Sequence, residues 1–436
     1  MTNQENKKSK KNKKNFLFIT LTNLCGDLAW HIQKEGHNVK YFTQDPEERE
    51  VADGFIPKIT NWETEVEWAD IIVFDDVMGQ GKIADELRKK GKKVIGGTEY
   101  TDRLEDDRSF GTEEMKNKGI KVIPYQDFSS LDDAINYIKT NPGEYVLKPT
   151  GHLKPTNLGI LLVGVHPLGL DLIEALERYK EWSDEIPQVQ LQKKVKGVEI
   201  AVGAFFNGKK FLKPININFE HKKLFPGDLG PDTGEMGTSM FWTNENKIFD
   251  ETLVKFEEEL SKHNFTGYID INCIVNETGI YPLEFTSRFG YPTISIQIEG
   301  IKSPIGEFFF KLANGEEFKL KTKKGFQIGV RLVVPPFPFN DENTYAVKSK
   351  NAKIYLDDGE EGLHIEDVKL VNNEWKIAGT SGVVMIVCGT GTSMKKAQLA
   401  AYERIKKILI PRMYYRNDIG NRWIEDEKKL KEWKLL

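Results

Sequence analysis

The strongest constraint on this chain is a pair of alternating stretches that meet at a turn. Residues 267 to 293 read GYIDINCIVNETGIYPLEFTSRFGYPT. Side chains on a strand alternate between its faces, so Ile269, Ile271, Cys273 and Val275 share one side and Asp270 and Asn272 the other. Asn276, Glu277, Thr278 and Gly279 are turn formers. Alternation then resumes, with Tyr281, Leu283 and Phe285 opposed to Glu284 and Thr286. The pattern predicts a β-hairpin. Pro282 has no N–H to donate, which argues against a central place for the second strand. The hairpin gathers Asp270, Asn272, Glu284 and Thr286 on one face. Four oxygen donors suit Mg²⁺ or Mn²⁺, which prefer oxygen ligands. An amphipathic hairpin with that face in water fits the same pattern. Arg288 follows at once and could grip a phosphate with two parallel hydrogen bonds.

The remaining chain reads as a multidomain mix of α/β and α+β parts. Its 436 residues suggest roughly two to four domains. A hydrophobic share of 39% and a charged share of 29% are ordinary for a globular protein. A net charge of −4 gives no reason to expect nucleic acid or membrane as the main partner. Three dispersed cysteines, Cys25, Cys273 and Cys388, fit a reducing, cytoplasmic setting. No apolar run nears the roughly 20 residues that span a bilayer. The seven histidines include no pair at an evident metal spacing. Oligomeric state is open between monomer and homodimer.

Residues 1 to 15 carry six lysines among polar residues and read as a solvated, disordered tail. Residues 16 to 100 alternate strands (16–21, 38–42, 71–74, 93–95) with helices (28–35, 82–90), which predicts a parallel sheet. The loop Thr22 to Asp27 lies where such sheets place ligands, although it has only Gly26. Asp75 and Asp76 end the 71–74 strand, where they could meet a ligand or water. Residues 101 to 320 form the expected central domain. It holds a helix to about Lys118, a strand at 121–124, a helix at 131–140 and a strand at 145–148 that ends in Lys148. The loop after Lys148 contains Gly151 and Lys154, and another strand follows at 160–163. Residues 188 to 206 read strand, break at Gly197, strand. The stretch NINFEHKKLFPGDLGPDTGEMGTSM, 216 to 240, has so many Gly, Pro, Asp and Asn residues that it predicts a long irregular loop, of a kind that is usually functional. Helices are expected at 250–263 and within 300–320. Residues 321 to 436 form a small mixed β/α domain with a strand at 326–334, short strands over 352–388 and a helix at 394–409.

The hairpin end EFTSRFGYPT, the loop DLGPDTGEMG and the terminal YRNDIG together resemble the phosphoribosylamine–glycine ligase family of ATP-grasp enzymes, over about residues 16 to 424. That family reads close to EFNxRFGDPE, DGDxGPNTGGMG and YRxDIG at these places. The resemblance implies an ATP-grasp core with a lid subdomain at about 121–195. It implies ATP and a divalent metal. It also implies amide formation between an amino acid and a phosphorylated amine, through an acyl phosphate. Lys148, Gly151 and Lys154 would hold ATP phosphates, and Arg108 takes the place of a lysine that contacts ATP. Gln192, Lys193 and Val195 would line the adenine hinge, where the family usually has two glutamates, and Glu199 matches its GxE pattern. Lys222, Asp228 and Arg288 would serve catalysis. Asp232, Thr233, Gly234, Glu235, Met236, Gly237, Arg288 and Gly290 would bind the acceptor. Glu284 keeps the family's metal-binding glutamate, but Thr286 replaces its asparagine, and Asp270 is expected to compensate. Asp232 replaces an asparagine and Glu235 a glycine, so either these acids point away or the substrate differs. Arg416, Asp418 and Gly420 read as structural. A ligase with another amine acceptor, or a nucleotide-binding protein without turnover, would share this scaffold.

Overall fold

The computed structural model describes residues 13–149, 161–182, 188–357 and 359–436. The chain divides into two compact units. The larger comprises Met1–Asp106, Ile200–Ile271 and Phe285–Leu436, and the smaller comprises Asp107–Glu199 and Asn272–Glu284.

The larger unit opens with β1 (Asn15–Thr20), α1 (Gly26–Lys34), β2 (Asn38–Thr43), β3 (Ile71–Phe74), α2 (Gln80–Lys89), β4 (Val94–Ile95) and α3 (Glu99–Asp106). The strands pair in parallel in the order β2-β1-β3-β4. Phe16, Leu17, Phe18 and Ile19 are all buried, as expected for a strand covered on both faces. The order reverses between β1 and β3, and folds of this kind bind ligands at the carboxyl ends of such strands. Asp75 ends β3 there, fully buried.

In the smaller unit the helix expected to run to 118 begins afresh. Asp107 interrupts it and caps α4 (Arg108–Asn117) by accepting the Phe110 N–H at 3.0 Å. The sheet expected from 121 starts later. It comprises β5 (Tyr125–Phe128), β6 (Tyr145–Pro149), β7 (Leu162–Val163) and β8 (Val189–Lys193) in the order β5-β8-β6-β7, all antiparallel. The helices α5 (Leu131–Thr140) and α6 (Leu170–Tyr179) supply Ile135, Ile138, Leu172 and Leu176 to one core with Leu147 and Leu191.

The rest builds on β9 (Val198–Asn207), β10 (Ile215–Glu220), β11 (Lys223–Phe225), β12 (Leu229–Asp232) and β13 (Gly237–Thr243). The stretch 216–240 is therefore not an irregular loop. Gly227 and Asp228 serve a tight turn instead, with φ of 73° and 55°, and the segments on either side pair as strands. The predicted helix 250–263 is broken into α7 (Lys247–Glu251), a single tighter turn and α8 (Glu257–Lys262). Then come β14 (Thr266–Asn276) and β15 (Gly279–Thr286), α9 (Thr293–Gly300), α10 (Ile305–Ala313), β16 (Phe326–Val333), α11 (Glu342–Lys348), β17 (Tyr355–Leu356) and β18 (Leu363–Ile365). The hairpin β19 (Val368–Val371) and β20 (Glu374–Ile377) precedes β21 (Val383–Gly391), α12 (Met394–Ile405), β22 (Ile408–Leu409) and α13 (Trp423–Glu432). An eight-stranded sheet runs β15-β14-β9-β10-β13-β16-β21-β18. Proline-bearing β15 lies at its edge, as its missing N–H requires. The helix expected to reach 409 stops at 405, because Ile408 and Leu409 pair with β17.

Candidate active site

The β11–β12 hairpin is pinned by one buried cation. Arg416 is 0% exposed. It donates to Asp418 at 2.8 and 2.7 Å, to Asp228 at 2.8 Å and to the Lys223 carbonyl at 2.9 Å. Asp418 also accepts the Gly227 N–H at 2.9 Å, and Arg422 reaches the other Asp228 oxygen at 3.4 Å. Asp228, expected in catalysis, thus has both oxygens committed to arginines that fix the turn. His221 accepts the Gly420 N–H through Nε2 at 3.1 Å. Burial, with Arg422 and Arg416 nearby, holds its imidazole down to about 3. Arg416 and Asp418 of the YRNDIG segment thus tie it to the β11–β12 turn.

The expected acceptor residues separate by environment. Asp232 is exposed and pairs with Lys223 at 2.8 Å. Thr233 folds back on the Lys222 carbonyl, with N–H and hydroxyl at 2.8 and 2.7 Å. Lys222 faces Glu220 at 3.4 Å. A Cβ on Gly234 would meet nothing within 4 Å. Met236 is wholly buried beside Leu224 and Val333, so its side chain packs the core. A Cβ on Gly237 would sit 2.6 Å from the Gly329 carbonyl oxygen, so the strand pairing there excludes any larger residue. The Gly290 carbonyl accepts the Ile294 N–H at 2.8 Å in the first turn of α9.

Glu235, in contrast, is buried with Oε1 unpartnered. Burial and Glu220 push its carboxyl well up, against the pull of Arg331 and Lys222. Asp270 is in the same condition. It is buried, Oδ1 has no partner, and burial and Glu220 raise it, opposed by a hydrogen bond from Thr286. Glu105 adds to that repulsion and Arg288 relieves part of it. The face of β14 that alternation left open to water is therefore buried. It forms an acidic cluster with too few counter-charges among the described residues. Orphaned carboxylate oxygen in a set of oxygen donors fits a hard divalent cation. Glu220 and Glu105 were missed in the sequence because neither lies in a recognisable pattern near Asp270.

Arg288 stands at the edge of this cluster. Its Nε lies 3.1 Å from both Asp76 and Glu105. Burial opposes its charge, and these carboxylates more than offset that. Glu105 also accepts the Ser287 N–H at 2.7 Å. Tyr291 donates to the Asp75 carbonyl at 2.9 Å. The Asp75 carboxyl accepts the Leu21 N–H at 3.2 Å but leaves Oδ2 unpartnered. Burial and Asp76 push it up to about 8.

The residues expected around ATP lie in the smaller unit. Lys148 is buried at the end of β6, opposite Gln190. Gln192 is buried and Lys193 exposed at the end of β8, with Val195 just beyond. Glu199 is half-buried on β9. A Cβ on Gly197 would lie 2.2 Å from the Val275 carbonyl oxygen, which explains a glycine at that break. Arg108 opens α4 with Nη1 buried and unpartnered among the described residues. Gly151 and Lys154 lie outside the described residues. Asn272 and Glu284 occur two residues along from Asp270 and Thr286 on β14 and β15, Asn272 buried and Glu284 half-buried.

Residues 106–294 match the family model of the phosphoribosylglycinamide synthetase ATP-grasp (A) domain. The chain is 26% identical over 353 residues to a phosphoribosylamine–glycine ligase of Clostridium acetobutylicum, covering 78% of this chain and 81% of that one. It is 26% identical over 359 residues to the one of Streptococcus pneumoniae R6, covering 80% and 83%. Among solved structures, the phosphoribosylamine–glycine ligase of Thermotoga maritima superposes with a TM-score of 0.71 at 21% identity, over 93% of this chain and 100% of that one. The biotin carboxylase domain of Hydrogenobacter thermophilus 2-oxoglutarate carboxylase, solved with MgADP, superposes with a TM-score of 0.64 at 13% identity, over 96% and 97%. No helix among the described residues is long and apolar enough to cross a membrane. Residues 106–294 of this chain thus form an ATP-grasp domain of the phosphoribosylglycinamide synthetase type.

Proposed function

We propose that the chain is an ATP-dependent carboxylate–amine ligase that joins glycine to 5-phosphoribosylamine, as in purine biosynthesis. In the reaction, a glycine carboxylate oxygen attacks the γ-phosphorus of ATP. The bond to the bridging oxygen breaks, and ADP leaves. The phosphoribosylamine nitrogen then attacks the acyl phosphate carbon, phosphate departs, and the nitrogen loses a proton. Such chemistry asks for positioning and charge neutralisation and needs no nucleophilic side chain. Lys148, Arg108 and the loop with Gly151 and Lys154 are the proposed phosphate ligands. Gln192, Lys193 and Val195 are the proposed adenine contacts, and Glu199 completes that side. Asp270 and Glu284, with Asn272 or Thr286 in support, are the proposed Mg²⁺ ligands; bound there, the ion would neutralise phosphate charge. Arg288, held in place by Asp76 and Glu105, is suited to carry a transferring phosphoryl oxygen.

The observation that carries this reading is buried Asp270 with its unpartnered oxygen beside other carboxylates, in a chain whose residues 106–294 match that family model. The test is ADP release with ATP, Mg²⁺, glycine and phosphoribosylamine made in the assay from ammonia and ribose 5-phosphate. Turnover that needs both substrates supports the reading. A second reading, the same ligation with another acceptor, is favoured by Glu235, a buried acid where the family has glycine. ATP binding without turnover on glycine and phosphoribosylamine, followed by turnover on another amine, would select it. ATP binding with no turnover on any substrate pair would leave a nucleotide-binding protein.

A further inference from the structure

The fold joins α1 to β18 through three side chains unrelated to the hairpin. Asp27 and His31 are one turn apart on α1, and His364 comes from β18. One ligand atom of each lies within 4.8 Å of the others. The rings of His31 and His364 stack, with centroids 5.2 Å apart. Asp27 accepts the Ile365 N–H at 3.1 Å and lies 2.7 Å from His364 Nδ1. Docking of α1 explains those contacts. It does not explain two buried ring nitrogens that make no geometric hydrogen bond among the described residues: His31 Nε2, 3.6 Å from Asp27 Oδ1, and Nε2 of His364, whose ring also meets the Cys388 thiol. Native proteins seldom leave such atoms unsatisfied.

A fourth group stands behind them. Glu299 is held through Oε1 by Lys323 at 2.8 Å and Thr390 at 3.4 Å. Its other oxygen faces His364 Nε2 at 4.0 Å, beyond hydrogen-bond range. The side chain of His31 is 26% exposed, which leaves a way in from solvent.

We propose that Asp27, His31 and His364 form a binding site for a divalent metal of the zinc class, with Glu299 facing His364 as a supporting carboxylate. Two imidazoles and a carboxylate select Zn²⁺, Co²⁺ or Ni²⁺ over Mg²⁺, which takes oxygen ligands. The site ties the first sheet's leading helix to the far end of the large sheet.

Co²⁺ titration of the purified full chain in excess Mg²⁺ tests the site. The expected result is saturable binding of about one Co²⁺ per chain, with the visible absorption of a nitrogen-ligated ion, displaced by Zn²⁺. His31→Gln, at a partly exposed position, should weaken that binding at least about tenfold with an unchanged melting curve. His364→Gln should weaken it further. Asp270→Asn should leave the band intact, which separates this site from the hairpin. Absence of the band, a band that His31→Gln leaves untouched, or a band lost with Asp270→Asn would each overturn the proposal.

Discussion

Two parts of the larger unit bury charge in opposite ways. Around Arg416 each carboxylate among the described residues is paired with an arginine. The guanidinium meets Asp228 and Asp418, and Asp418 takes a backbone N–H as well. Around Asp270 the acids outnumber the cations among the described residues. Glu235 and Asp270 each keep an unpartnered buried oxygen, and Glu220 repels both. A closed account of this kind builds a fold. An open one is a cost that stability alone would not retain, and it is the ground on which a cation is proposed there.

The sharpest way to break this comparison is Arg416→Met. It strands Asp228 and Asp418 without a counter-charge, and denaturant unfolding should show a loss of about 3–5 kcal/mol. A loss under about 1 kcal/mol would mean the Arg416 network is ornamental. Asp270→Asn probes the other side. It removes a repelled charge, so unfolding stability should hold or rise, while kcat for ADP release falls by about 10²-fold or more. Loss of stability together with unchanged Mg²⁺ dependence would cancel the contrast.

Asp75 sharpens it through pH. Its carboxyl is pushed up to about 8 in the fold, against an unfolded value of about 3.9. Between those limits the native state holds a proton that the unfolded chain has released. Its contribution is complete below the lower limit and is lost as pH rises toward 8, at up to about 1.4 kcal/mol per pH unit. Asp75→Asn should flatten that decline in melts taken from pH 5 to 8, and an unchanged slope would refute it. The smallest effect is expected at exposed Asp232. Asp232→Asn should change stability by no more than about 0.5 kcal/mol, because its pair with Lys223 is solvent-screened. A change of tenfold in KM would instead place Asp232 on the substrate.

Much of this was legible locally. The hairpin, its edge proline and the β1–β4 alternation follow from periodicities within a few residues. The conversion of 216–240 from expected loop to paired strands was not legible, because partners such as β16 supply the hydrogen bonds that its turn-rich composition hides. The split of the 101–118 helix came from a single cap, Asp107, in a stretch whose composition suits one helix.

The sequence by itself determined the strands of the first sheet and the β14–β15 hairpin with its oxygen-rich face, and it placed Asp270, Glu284 and Arg288 on one short segment. Only the tertiary structure decided which charges are paid and which are not. Arg416 finds Asp228 across 188 residues, and His364 finds Asp27 across 337. Local pattern carries the period of a strand or helix. It carries no record of which distant side chain will share its low-dielectric surroundings, and that neighbour decides whether a buried charge is structural or held for a ligand.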